Sequence, residues 1–213
     1  MSRRLPRSFF ARPATEVAPD LLGHVLVRRL HDGTRLAARL VEVEAYEPDD
    51  PGSHAFRGMT PRNEVMFGPP GHLYVYFTYG MHFCMNAVTR RTGEGSAVLL
   101  RAGEPLEGVD EMRRRRGRDP ARDLCSGPGR FTQALAIGRP ENGADLVGGA
   151  AVWIERGSRS EPLGVGIRVG VHDISRSWRF WLEGDPFVSR GRPGPPTPKR
   201  RTPRPPVARS TRR

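Results

Sequence analysis

The sequence predicts an α+β fold: a single domain with a mostly antiparallel, curved sheet, short helices around it and one protruding β-hairpin. Hairpin signals come early, one at Asp32-Gly33 and one around Thr78-Tyr79-Gly80, each between apolar runs. Strand-like segments outnumber helical ones, and the helical ones are interspersed and short, so no alternating βαβ series is present. No internal repeat is visible.

Taken in order, ATEVAPDLL (14–22) reads as a short helix closed by Gly23, a residue suited to the left-handed cap position. HVLVRRL, the Asp32-Gly33 turn and RLAARLVEVEAY follow as the first hairpin. Residues 47–60, rich in Pro, Asp and Gly, read as an irregular surface loop, and PRNEVMF (61–67) as one helical turn started by Pro61. A second hairpin has strands over 72–77 and 81–88, and SAVLLRA (96–102) is a strand ending in Arg101. Helices are expected over 106–116 and 131–137, then strands over 151–155, 165–171 and 178–183.

The domain is placed at residues 9–189, with an N-terminal arm over 1–8 and a tail over 190–213. That tail holds eight arginines, one lysine, seven prolines and no acid, leaving 26 basic residues against 23 acidic ones before it. The net charge of +12 is therefore mostly a disordered, proline-rich segment that could attract polyanions but not fold. Two cysteines, Cys84 and Cys125, form no CxxC pair and support neither a disulfide framework nor a zinc site, so no metal and no cofactor are expected. Without an apolar run of membrane or signal-peptide length, the chain is expected to be soluble, cytoplasmic and monomeric, with no membrane partner.

Strand alternation in VEVEAY sends Val41, Val43 and Ala45 to one face and Glu42, Glu44 and Tyr46 to the other. An exposed polar strand face is the plain reading of that pattern, but this face points toward the loop carrying His54. In the second hairpin a three-residue loop Thr78-Tyr79-Gly80 would pair Tyr76 with His82 and Tyr74 with Cys84. That register gathers Tyr74, Tyr76, His82, Cys84 and Asn86 on one face. A two-residue Tyr79-Gly80 loop would instead turn His82 and Asn86 to the other face. Either way Tyr79 sits exposed at the tip, where a large aromatic ring is suited to insertion, between base steps or into a protein partner.

Six blocks in this order, VEVEAY, SHAFRG, TPRN, MFGPPGHLYVYFTYGMHFCMN, AVLLRAGEPLEG and GPGRFTQALAI, resemble the alkyladenine (3-methyladenine) DNA glycosylase family over about residues 9–189. The resemblance implies binding of double-stranded DNA, flipping of a damaged purine and hydrolysis of its N-glycosidic bond. It implies Glu44 as general base, with Arg101 holding Glu44 or the attacking water. Tyr46, His54 and Tyr76 would wall the base pocket, Asn86 would crowd out the guanine amino group, and Tyr79 would fill the gap in the duplex. Thr60, Arg62 and Asn63 fit phosphate or loop-anchoring roles, with Arg62 as the backbone contact, and Arg130 with the arginine run 113–116 would extend the basic face toward the DNA backbone. His24, His31, His72 and His172 read as structural or surface residues, and Tyr74 as packing. The only lysine, Lys199, lies in the tail, so a Schiff-base lyase step is not expected. The damaged purines implied are 3-methyladenine, 7-methylguanine, hypoxanthine and etheno-adenine, excised in the cytoplasm at the nucleoid to start base excision repair. Two other readings compete: a non-catalytic nucleic-acid-binding module, and an inverting glycosidase using Glu42 and Glu44, whose spacing of roughly 6.5–7 Å along one strand face is near that class's carboxylate separation.

Overall fold

In the computed structural model, residues 4–171, 173 and 175–190 are described. The expected tail from residue 191 onward, with Lys199, and His172 lie outside them.

Four α-helices, eight strands and three 3-10 helices (Glu64–Phe67, within the expected turn, Ala121–Asp123 and Arg139–Glu141) make up the regular structure of the described chain: α1 (Arg7–Phe10), α2 (Ala14–Leu21), β1 (Val25–Arg29), β2 (Arg35–Tyr46), β3 (Leu73–Thr78), β4 (His82–Thr89), β5 (Ser96–Glu107), α3 (Val109–Arg116), α4 (Pro128–Ala134), β6 (Val152–Glu155), β7 (Leu163–Gly166) and β8 (Arg179–Leu182). The sheet runs β3-β4-β5-β2-β1-β6, with β8 joining β2 and β7 joining β8. Each of these pairings is antiparallel.

β2 is the spine. One edge pairs with β5, and the other is shared by β1 along Arg35–Arg39 and by β8 along Glu42–Glu44. Register shifts between β2 and β5 lie at Ala37/Ala38, Leu40/Glu42 and Glu42/Val43, and bulges of this kind bend a strand and raise its twist. The second half of β2 is buried on both faces, so the plain reading of an exposed polar strand face does not hold.

The apolar side of the sheet is covered by helices. α2 buries Ala14, Val17, Ala18 and Leu21, a spacing that puts all four on one helical face. α4 seats the fully buried ring of Phe131 against β5, where a Cβ on Gly103 would come within 2.7 Å of that ring. The N-terminal residues pack rather than project: Leu5 is buried, its N–H donates to the Ile154 carbonyl, and Arg7 pairs with Asp145 at 2.8 Å.

Three boundaries differ from expectation. β5 continues to Glu107, pairing with β2, and helix α3 begins only after Gly108, whose φ of 70° breaks the strand. α4 starts earlier, at Pro128, and Ala136 at φ 53° prevents its continuation. β7 ends at Gly166 rather than 171.

The second hairpin pairs Thr78 with His82, Phe77 with Phe83, Tyr76 with Cys84 and Tyr74 with Asn86. Its loop is thus Tyr79-Gly80-Met81, one residue further on than expected. Tyr79 and Gly80 both have positive φ (51° and 66°), and the Met81 N–H closes the turn on the Thr78 carbonyl. Left-handed geometry at both central positions is what a type I′ turn requires.

Candidate active site

The shared face of β2, β3, β4 and β5 floors a cavity of about 350 Å³, a size usual for small-ligand sites. Glu44, Tyr46, His54, Tyr76, Asn86 and Arg101 line it, and Tyr79 borders its mouth. All of the pocket and catalytic positions expected from the sequence therefore meet at one place. Thr60, Arg62 and Arg130 do not line it.

Glu44 is completely buried, and its carboxylate is held from three sides. The Tyr46 hydroxyl donates to Oε2 at 2.9 Å, the Val169 N–H donates to Oε1 at 2.8 Å, and Arg101 Nη1 stands 3.2 Å from Oε1. Burial first, and the Glu44 charge second, push the Tyr46 hydroxyl well above its ordinary pKa, so it remains a donor at neutral pH. Burial alone would lower the Arg101 pKa, but Glu44 and Glu42 outweigh it and hold the guanidinium charged.

Glu42 lies on the same side yet does not reach the cavity. Its Oε1 accepts from Arg101 Nε at 2.9 Å and from Arg179 Nε at 2.7 Å, and its Oε2 accepts from the Ser189 N–H at 2.8 Å. A carboxylate occupied in this way has no face free for water, so the inverting-glycosidase pairing of Glu42 with Glu44 finds no support in the geometry.

Above this floor stand the aromatic rings. Tyr74 and Tyr76 stack at 5.4 Å between centroids, and His54 meets Tyr76 edge-on at 4.5 Å. His54 Nδ1 is 3.0 Å from the Tyr74 hydroxyl. Tyr74, expected only to pack, is buried and anchors the imidazole, and burial pushes its own pKa up to about 12. His54 reaches solvent at one edge, yet the protein around its ring and then the charge of Arg62 hold its pKa below the ordinary value, leaving a neutral ring at pH 7. Asn86 is buried and donates through its side-chain amide to the Tyr74 carbonyl at 3.2 Å.

Several wall residues carried no signal in the sequence: Leu99, Met66, Pro128 and the run Val169–Val171, whereas Cys84 lines the cavity from the strand face where the hairpin register put it. Leu99 follows from β5 pairing Leu99 with both Glu44 and Asn86, a register that alternation alone does not reveal. Val169–Val171 lies in the stretch that was expected to be strand. Thr60 acts within its own loop, donating from its hydroxyl and its N–H to the Asn63 side-chain oxygen at 2.9 and 2.6 Å. Arg62 donates to the Phe77 carbonyl at 3.2 Å, close under the hairpin tip.

Beside the cavity, and sharing Arg101 with it, is a basin of about 790 Å³ lined by Arg116, Arg118, Arg122, Arg130, Ser189 and Arg190 among others, with Asp123 its one acidic residue. Neither Arg118 nor Arg122 nor Arg130 forms an ion pair with a described residue, whereas Arg28, Arg35, Arg39, Arg90 and Arg179 are all paired to acids. Among the described residues no group of three His, Cys, Asp or Glu is placed to hold a metal ion, and no helix is long and apolar enough to cross a membrane.

The family model described as "Methylpurine-DNA glycosylase (MPG)" matches residues 8–186. A protein of Carboxydothermus hydrogenoformans is 48% identical over 189 residues, covering 87% of this chain and 98% of its own. Relatives in Streptomyces avermitilis (49% over 209 residues; 92% and 95% covered) and Chlorobaculum tepidum (45% over 206; 93% and 97%) are similar over nearly their whole lengths. All three carry the name "Putative 3-methyladenine DNA glycosylase". With the match spanning the sheet, the cavity and the hairpin alike, the chain belongs to the methylpurine-DNA glycosylase family, hydrolases that act on N-glycosyl bonds in DNA.

Proposed function

We propose that the protein is a monofunctional glycosylase that flips a damaged purine out of duplex DNA into this cavity and hydrolyses its N-glycosidic bond with a water activated by Glu44. The observation that carries the reading is the placement of a fully buried carboxylate at the floor of an aromatic cavity whose mouth is bordered by an exposed tyrosine. Glu44 takes a proton from the water as it attacks the sugar carbon, and its charge favours the positive character that the sugar gains. Arg101, fixed on Glu42, holds the Glu44 carboxylate in the orientation that the water needs.

Tyr46, Tyr76 and His54 offer ring faces to the flipped base. A positively charged alkylpurine gains roughly 1–2 kcal/mol from such faces when desolvated, which favours 3-methyladenine and 7-methylguanine, while hypoxanthine and etheno-adenine enter by stacking and shape. Asn86 crowds the position of the guanine amino group and rejects the normal base. The protein acts as a monomer on the nucleoid. Arg62 and Arg130 contact phosphates, and Thr60 keeps the Arg62 loop in shape through Asn63. If the unpaired arginines of the basin face the DNA backbone, exchanging Arg118 and Arg130 together for Gln should lower the slope of log affinity against log salt by about 2. Titration of duplex binding at several salt concentrations checks this.

Tyr79 is 84% exposed and sits in a left-handed conformation that Asn or Gly adopts with less strain. Tyr79→Asn is therefore expected to stabilise the fold by about 1 kcal/mol while weakening capture of the flipped nucleotide. Thermal unfolding and base-release rates measured side by side check both halves; a loss of stability would show that the ring packs on its own domain.

The activity itself is tested by incubating the protein with methylated DNA and separating the released bases by chromatography. Free 3-methyladenine or 7-methylguanine is expected. Binding without release would leave a non-catalytic DNA-binding module.

A further inference from the structure

Outside the cavity, behind the Tyr46 wall, is a buried guanidinium that the proposed chemistry does not use. Arg168 has no exposed side-chain surface and grips both carboxylate oxygens of Asp50, which is equally buried. It also donates to the Ala45 carbonyl at 2.9 Å. Its guanidinium carbon stands 4.6 Å from the centroid of the Tyr46 ring and 5.3 Å from that of Trp178. Its Nε is buried without a hydrogen-bond partner. The cation is thus answered directly by the Asp50 carboxylate, the Ala45 carbonyl and aromatic faces, with the Glu44 charge acting on it from further off.

Two parts of the cavity wall hang on this pair. The residue after Arg168, Val169, gives its N–H to Glu44, and Val169–Val171 line the cavity. Two residues after Asp50, Gly52 also lines it, packed so closely that an added Cβ would stand 2.7 Å from Val171 and 3.2 Å from Arg168. Tyr46 faces the cavity, whereas Arg168 does not.

We propose that Asp50 and Arg168 form a charge-neutral clamp that positions Tyr46 and Glu44 and sets how the pocket discriminates between positively charged and neutral purines. The inference rests on the reading of the cavity as a base pocket. Neither residue touches the base; both act through the Tyr46 ring and the Val169 N–H. A cation against one side of an aromatic ring draws electron density from it and repels a second cation on the other side, more strongly where water is excluded. Asp50 cancels that field. Without its charge, Arg168 opposes a cationic purine and leaves a neutral one almost unaffected; without the charge of Arg168, Asp50 has the opposite effect.

The test is single-turnover release of 7-methylguanine, a cation, and of hypoxanthine, which is neutral, from otherwise identical duplexes. Wild type is compared with Asp50→Asn, Arg168→Gln and the double variant. Asp50→Asn is expected to lower the ratio of 7-methylguanine to hypoxanthine rates about tenfold, Arg168→Gln to raise it, and the double variant to bring it back near the wild-type value although both absolute rates fall. A clamp that is only structural would slow both bases in equal proportion in every variant, and that result overturns the proposal while leaving the base pocket intact. Should Asp50→Asn fail to fold, the remaining two variants still carry the sign of the effect. A wild-type protein that releases neither base overturns this inference, and it overturns the pocket reading as well if methylated DNA yields no free 3-methyladenine.

Discussion

Exchange of Glu44 for Gln is expected to slow single-turnover release of a damaged purine by about 10²–10⁴-fold, the range that a positioned general base contributes. Gln occupies the same volume and its carbonyl can still accept from the Tyr46 hydroxyl or the Val169 N–H. Arg101 stays anchored on Glu42 at 2.9 Å, so the floor of the cavity keeps its shape. Binding of a lesion-bearing duplex should accordingly be unchanged within a few-fold, as read by gel shift or anisotropy. Loss of activity with retained binding separates an enzyme from a binding module, and normal release by the variant would remove Glu44 from the mechanism.

The largest effect on stability is expected at Arg101. Its guanidinium lies between two carboxylates that are both fully buried, and Glu42 also has Arg179, whereas Glu44 has Arg101 as its ion-pair partner. Arg101→Met keeps most of the volume and leaves Glu44 as an uncompensated buried charge, which costs about 3–5 kcal/mol. Urea unfolding should show a lower midpoint with an unchanged slope. Adding Glu44→Gln to the same chain removes the stranded charge and should recover more than half of the loss. If the double variant is no more stable than Arg101→Met, the cost comes from packing and not from charge.

Much of the fold was legible because its signals are local. Asp32-Gly33 between two apolar runs specified the first hairpin, and the turn closes with Leu30 donating to the Thr34 carbonyl and Thr34 capped by the Asp32 side chain. Alternation in VEVEAY placed Glu44 beside Tyr46. The second hairpin shows why a register error need not spoil a face. Gly80 was expected to end the loop, but Tyr79 and Gly80 together form its left-handed centre and Met81 joins them outside the ladder. The pairing moved by two residues in sum, which preserves parity, so Tyr74, Tyr76, Cys84 and Asn86 still share one face.

What was not legible depends on contacts between distant segments. Arg168 and Asp50 are 118 residues apart and Val169 and Glu44 are 125 apart, and nothing in either local stretch names its partner. Glu42 and Glu44 look equivalent along the strand. Only the arrival of Arg179 on β8 and of Ser189 closes off the first and leaves the second facing the cavity. Tyr74 looked like packing because the His54 loop that its hydroxyl meets has no regular structure to read from sequence.

The most direct measurement uses duplexes that each carry one 3-methyladenine analogue, 7-methylguanine, hypoxanthine or etheno-adenine at a defined position, incubated with excess protein and divided before electrophoresis. The expected result is strand cleavage at the modified position only after alkali, with the strand intact in the untreated half, because the proposed reaction leaves an abasic site and no lysine lines the cavity among the described residues. No alkali-labile site in any duplex would contradict flipping and hydrolysis at the Glu44 cavity, and cleavage without alkali would contradict the water-mediated, monofunctional reaction.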